Sequence, residues 1–243
     1  MDAYGSLEPV DIQGMEDVFL ALQRDMKVPI EGMHFASLIH AYGCVGKDLD
    51  KAISIFESIP SYPRAQPADA VVYEAMINAL VAHKRTDLMP QFIDKMKAQG
   101  VKMTAYIVNF LIKGYANGGN LPKARAIFEG LADPAQGMAA PGNHAPHDSA
   151  AVTGTATAGG IEELVYREPS TWEAMVRAEL GAGQRARATD LLERLKARSV
   201  LLPLTVHVDG ADERLFFCSF CRKYPEAVFN RISGIMVDHS AIL

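Results

Sequence analysis

The sequence predicts an all-α protein, an array of helix–turn–helix hairpins of the α-solenoid kind, broken by a disordered insertion. Three observations predict it. An apolar pattern recurs five times with the same internal spacing, as HFASLIHAY (34–42), VYEAMINAL (72–80), IVNFLIKGY (107–115), TWEAMVRAE (171–179) and VFNRISGIM (228–236). A second pattern follows at a fixed offset, as LDKAISIFESI (49–59), DLMPQFIDKM (87–96), LPKARAIFEGL (121–131) and RARATDLLERL (185–195). Turn residues separate the two patterns at Gly43–Asp48, His83–Thr86, Asn117–Asn120 and Gly181–Gln184. Recurrence at a period of 20–50 residues is the mark of repeat architectures.

The elements follow in chain order. Residues 1–14 read as an N-terminal extension. Phe19, Leu22 and Met26 resemble a lone second helix ahead of the first full unit. In each full unit the first helix opens on an anchor (Phe35, Tyr73, Val108 or Trp172), with apolar residues three and four positions later. That spacing is one stripe of an amphipathic helix. In the second helices Ala52, Ile55, Phe56 and Ile59 fall at i, i+3, i+4 and i+7, as do Ala124, Ile127, Phe128 and Leu131, and Ala188, Leu191, Leu192 and Leu195. The second unit has Met89, Phe92, Ile93 and Met96 there, and its Pro90 is tolerable only in the first turn of a helix.

The anchors are spaced 38, 35, 64 and 57 residues apart. The 64 exceeds the clean 35 by 29, the length of residues 132–160, which hold no Lys, Arg, Glu or aromatic. Such a composition does not offset its ordering entropy, so 132–166 is expected to be a low-complexity, disordered insertion. Residues 167–198 continue the repeats. The 57 exceeds 35 by 22, and residues 199–224 break the hairpin pattern. They are expected to be a second, atypical insertion, such as a retained intervening sequence. Residues 225–243 then form a partial repeat, anchored on Phe229. An array that starts and ends mid-repeat is expected of a fragment of a longer solenoid.

Composition excludes other classes. With 49% hydrophobic residues and 22% charged, the chain is neither wholly disordered nor collagen-like, and three Cys make no disulfide scaffold. No integral membrane segment is visible. The first 30 residues hold two basic and six acidic side chains, unlike an Arg-rich presequence. Cys218 and Cys221 form a lone CxxC, short of the four ligands of a zinc site. No phosphate-binding glycine loop or nucleophile elbow appears. No catalytic residue, metal or cofactor is expected.

The units resemble the pentatricopeptide repeat, whose pattern runs V-T-Y-N-T-L-I-D-G-L, a glycine turn, L-D-E-A-L-x-L-F-E-E-M, then K-G-I-K-P-D. VVYEAMINAL with FIDKMKAQGVKMT matches over a full unit, and YIVNFLIKGYANGGNLPKARAIFEGL matches nearly as well. Tetratricopeptide repeats put a small residue where this chain has Ile39, Ile77, Ile112 and Val176. GMHFASLIHAYGCVGKDLDKAI and PEAVFNRISGIM are also similar to fungal mitochondrial members related to the translational activator of the cytochrome oxidase subunit 1 message. The resemblance spans roughly residues 15–131, 167–198 and 225–236.

The resemblance implies a right-handed superhelical array that binds single-stranded RNA, one base per repeat, read by a few side chains. It implies a mitochondrial place, a partner such as an organellar mRNA or the translation machinery, and no DNA. In the family the reading pair is the residue after the anchor and the last residue of the repeat, while a residue two before the anchor packs on the base. Carried here, these are Ala36 and Asp69 with Met33; Glu74 and Thr104 with Val71; Asn109 with Tyr106, its last residue lost in the insertion; Glu173 with Ser170; and Asn230 with Ala227. Only Asn109 and Asn230 are amides, with both donors and an acceptor. Lys113 and Arg177 lie four residues after Asn109 and Glu173, on the same helix face, and suit phosphate contact.

The net charge of −5 opposes RNA binding in the sum but not along the chain. Residues 70–131 hold eight basic and four acidic side chains, whereas 1–69 hold five and eleven. The alternative function is a protein-interaction scaffold that uses the same face without RNA.

Overall fold

A computed structural model describes residues 11–25, 27–134, 138–139 and 165–200. It divides into two compact units, residues 1–114 and 115–243. The described residues are helical hairpins joined by short turns, and their fold class is the all-α helical-repeat class that the sequence predicts. The atypical insertion after Val200, the partial repeat with its anchor Phe229, the CxxC cysteines and most of the low-complexity segment lie outside the described residues.

In the first unit, α1 (Ile12–Arg24) is the lone half repeat. Asp11 caps it, accepting a hydrogen bond from the Gly14 N–H at 2.8 Å. Then come α2 (Gly32–His40), α3 (Leu49–Ser58), α4 (Ala70–Ala82), α5 (Met89–Ala98) and α6 (Ala105–Asn117). The boundary between the units falls inside α6. Asp48 and Asp69 cap α3 and α4 through the Lys51 and Val72 amides. Pro90 sits in the first turn of α5, where its missing N–H costs nothing.

The first helices α2 and α4 pack on each other, and α3 lies against both. All the anchors in the described residues are buried: Phe35, Tyr73, Val108 and Trp172 are at most 1% exposed. Phe35 meets Phe19 edge-on at 5.3 Å and Tyr62 at 5.4 Å. Phe56 lies between Tyr73 and Phe92, at 5.2 Å from each. Each such side chain contributes about 1.5–3 kcal/mol by leaving water. Ile55 and Ile93, expected in the buried stripe, are only half-buried, because they stand at the edge of their helices' apolar faces.

The first turn departs from the sequence reading. Residues Ala41–Val45 continue α2 as a π-helical turn, and the loop shrinks to residues 46–48. A π turn absorbs an extra residue without breaking the helix, one of the three by which the 38-residue spacing of this unit exceeds 35. It sets Gly43 against α4, where an added Cβ would meet the Ala79 Cβ at 2.5 Å. The His83 imidazole bonds the Gly43 carbonyl at 2.8 Å. The helix–helix turns need one left-handed residue, supplied by Gly119 and Gly183 in the later repeats but by Lys47 and Lys84 in the first two.

Arg64 fastens α1 to the first full repeat. Its guanidinium donates to the carbonyls of Asp25 (2.5 Å), Val28 (2.7 Å), Gln23 (2.7 Å) and Leu22 (3.3 Å). These are carbonyls at or just beyond the helix C-terminus, which otherwise lack intrahelical partners.

In the second unit, α7 (Leu121–Glu129), α8 (Pro169–Gly181) and α9 (Arg185–Val200) follow the end of α6. Between α7 and α8 the chain leaves at Ala132 and returns at Tyr166. The Ala132 amide donates to the Val165 carbonyl at 3.0 Å, and the Arg167 amide to the Ala132 carbonyl at 2.8 Å. The ends of the low-complexity segment are thus tied together. Arg167 seals the tie, donating to the Leu131 carbonyl at 2.9 Å and pairing with Asp133 at 3.0 Å. Its guanidinium lies over the rings of Phe128 (5.0 Å) and Trp172 (5.5 Å). Arg198 also holds Asp133, at 3.3 Å.

Candidate nucleic-acid interface

The expected site residues fall at fixed positions of each first helix. The second residue of the helix is Met33 in α2, Val71 in α4, Tyr106 in α6 and Ser170 in α8. Met33, Val71 and Tyr106 are 49%, 47% and 50% exposed. They make up half of the large apolar side chains left open to solvent among the described residues, since only Leu20, Val28 and Val45 join them. The other large apolar side chains of α4, from Val72 and Tyr73 to Val81, are buried. One exposed apolar residue thus stands at the same register in three successive repeats.

The fifth residue of each helix is Ala36, Glu74, Asn109 or Glu173. Ala36 is 7% exposed and has no polar atom to offer. Glu74 and Asn109 are half-buried. Thr104, the last residue of its repeat, donates its hydroxyl proton to Glu74 Oε1 at 2.6 Å. The same hydroxyl accepts from the Ile107 amide at 3.2 Å and so caps α6. The two expected reading residues of this repeat therefore touch. Asp69, the last residue of the preceding repeat, accepts from the Val72 amide at 3.1 Å. Its carboxylate lies on Gly32, where any Cβ would collide with it.

The cations differ in kind. Lys113 is exposed, and with Lys47 it acts on the Cys44 thiol, favouring the thiolate, but burial is the larger effect and pushes that thiol up. Arg177 is spent within its own helix: its Nε and a terminal nitrogen bond Glu173 Oε1 at 2.9 and 2.8 Å. The pair is partly neutral, and neither side chain is presented alone. Asn230 and Ala227 lie outside the described residues.

One residue escaped the sequence reading. The third repeat's last residue was expected to be lost in the insertion. Instead, the returning chain places Glu168 directly before α8 as its N-cap, the position that Asp69 and Thr104 hold before α4 and α6. The signal was available, since all three lie four residues before their anchors: Asp69 and Tyr73, Thr104 and Val108, Glu168 and Trp172. Glu168 is 2% exposed. Among the described residues no group of three or more His, Cys, Asp or Glu could hold a metal ion, and no helix is long and apolar enough to cross a membrane.

The family profile described as "Pentatricopeptide repeat-containing protein" matches residues 15–131, the span of the first three hairpins and the half repeat before them. Residues 15–131 are pentatricopeptide repeats. A curated relative, the mitochondrial pentatricopeptide repeat-containing protein 5 of Schizosaccharomyces pombe, is 32% identical over 241 residues. That alignment covers 98% of this chain, and the chain spans 15% of the relative's length. Among solved structures, the pentatricopeptide repeat protein PPR10 in complex with an 18-nucleotide psaJ RNA element is similar with a TM-score of 0.54 and 16% identity, over 81% of this chain and 24% of that one. The same complex with three cysteines replaced by serine gives the same values. At that identity the likeness concerns the pentatricopeptide-repeat fold. The exposed row of Met33, Val71 and Tyr106 is thus a row on the first helices of consecutive pentatricopeptide repeats.

Proposed function

We propose that the chain is a single-stranded RNA-binding segment of a mitochondrial pentatricopeptide-repeat protein. In this reading it acts in organellar RNA metabolism, such as message stabilisation, processing or translational activation. The observation that carries the reading is the row of Met33, Val71 and Tyr106, each about half exposed at one register. Unstacked bases stack on aromatic side chains such as Tyr106, and polar neighbours meet their edges. Glu74 and Asn109 stand three residues after Val71 and Tyr106, on the same helix face. The locally basic stretch 70–131 supports backbone contact, with Lys113 exposed beside Asn109. The name of the S. pombe relative supports the mitochondrial place, and the RNA bound by PPR10 supports the ligand class.

Crosslinking of the chain in cells, followed by pull-down and sequencing, tests the reading. A discrete organellar transcript is the expected product. In vitro, Lys113→Glu weakens binding across sequences and flattens its salt dependence, whereas Asn109→Ala alters preference at one base. Recovery of protein partners alone, with no affinity for single-stranded RNA, means a protein-interaction scaffold instead.

A further inference from the structure

We infer that Met33 is a site of reversible oxidation, and that its sulfoxide weakens the hold of the first repeat on RNA. The inference rests on the RNA-binding reading above and adds a chemical control to it.

Exposure separates this methionine from the others. Met33 is 49% exposed, whereas Met15, Met76, Met89, Met96, Met103 and Met175 are at most 4% exposed. Met138, the remaining methionine among the described residues, is half-buried. A thioether reacts with a peroxide only where the two can meet, so access sets the order of attack. The open thioether also stands in the row with Val71 and Tyr106, as the second residue of its helix. Cys44, the one cysteine among the described residues, is a poor competitor for the oxidant. It is half-buried, and burial pushes its thiol up, which lowers the share of the nucleophilic thiolate.

The step is a two-electron oxygen transfer from hydrogen peroxide. A lone pair of the Met33 sulfur attacks one peroxide oxygen, the S–O bond forms as the O–O bond breaks, and after proton transfer the second oxygen leaves as water. The sulfur is oxidised to the sulfoxide and the peroxide is reduced. The product is polar and chiral where the thioether was apolar and polarisable. A thioether against an aromatic face, such as a base presents, contributes about two- to tenfold in affinity, and the sulfoxide gives that up. Methionine sulfoxide reductases reverse the step.

The test treats the full chain with hydrogen peroxide and then removes the peroxide with catalase. A thiol reductant next returns sulfenic acid and disulfide to the thiol and leaves the sulfoxide in place. Mass spectrometry of the tryptic peptide 28–47, which holds Met33 and no other methionine, locates the added oxygen. Fluorescence anisotropy reads affinity for a short single-stranded RNA selected from a random pool. The expected result is oxidation of Met33 ahead of Met76, Met89 and Met96 while circular dichroism reports a folded chain, with affinity lowered about two- to tenfold. Methionine sulfoxide reductase restores the affinity. Met33→Leu, whatever its own affinity, binds the same before and after peroxide. The proposal is overturned if the buried methionines oxidise as fast as Met33, if affinity is unchanged once Met33 is the sulfoxide, or if Met33→Leu loses as much on treatment. An untreated chain that binds no single-stranded RNA overturns the RNA-binding reading and this proposal together, so the two failures are distinguishable.

Discussion

Replacing Arg64 tests how the half repeat is held. Its guanidinium reaches four carbonyls at and beyond the end of α1, three of them at 2.5–2.7 Å. Hydrogen bonds to a charged donor contribute about 1.5–3 kcal/mol each. The four are not additive, and Arg64 is half-exposed, so water replaces part of what is lost. Arg64→Met should therefore cost about 2–3 kcal/mol, with the hydrocarbon stem retained. Arg64→Lys should recover less than half, because an ammonium does not reproduce the planar fork. Urea unfolding by circular dichroism gives the total. Hydrogen exchange locates it: amides of α1 should lose protection while those of α4 keep theirs. A change below about 0.5 kcal/mol, the range of an ordinary surface substitution, or a loss of protection spread evenly along the chain, refutes the reasoning.

Other outcomes follow from the packing and the charges. Ile127 is 2% exposed, so Ile127→Asp, which loses its burial and buries a carboxylate, should cost about 4 kcal/mol or more and unfold the second unit by circular dichroism. Gly43→Ala drives a Cβ onto Ala79, and thermal melts should show about 1–3 kcal/mol of overpacking cost. Glu129 is held below the usual carboxylate range, chiefly by its hydrogen bond from Arg194. Because the folded-state pKa is the lower one, the pair stabilises above the unfolded value, and that contribution is lost as pH falls through the folded one. Stability should therefore decline on acidification, and less steeply in Glu129→Gln, as urea titrations between pH 7 and 3 would read.

The hairpins were legible because packing between repeats imposes a periodicity on the chain itself. Tyr73, Phe92, Phe128 and Trp172 each fell where the stripe put them, and each is at most 1% exposed. The exposed row was legible through the resemblance alone, which puts Met33, Val71 and Tyr106 two residues before their anchors. What stayed hidden depends on contacts distant in sequence. The Arg167 tie exists only because the chain returns to Ala132, and nothing in the low-complexity stretch announces that return. Arg64 reaches back 36 to 42 residues to its carbonyls. The π turn at Ala41–Val45 reads, in sequence, as a loop with two glycines. The pairing of Arg177 with Glu173 was open to an i, i+4 reading.

The central claim is that the row of Met33, Val71 and Tyr106 receives bases of single-stranded RNA. The direct measurement is RNA affinity of the chain with all three changed to alanine, at two salt concentrations. These side chains are about half exposed, so the melting temperature should hold. Base–aromatic stacking, which Tyr106 alone of the three offers, contributes about 1–3 kcal/mol by alanine substitution. The account predicts that affinity falls by at least about tenfold at both salts, with the salt slope unchanged, because the phosphate contacts remain. Unaltered affinity in a folded triple variant would contradict it.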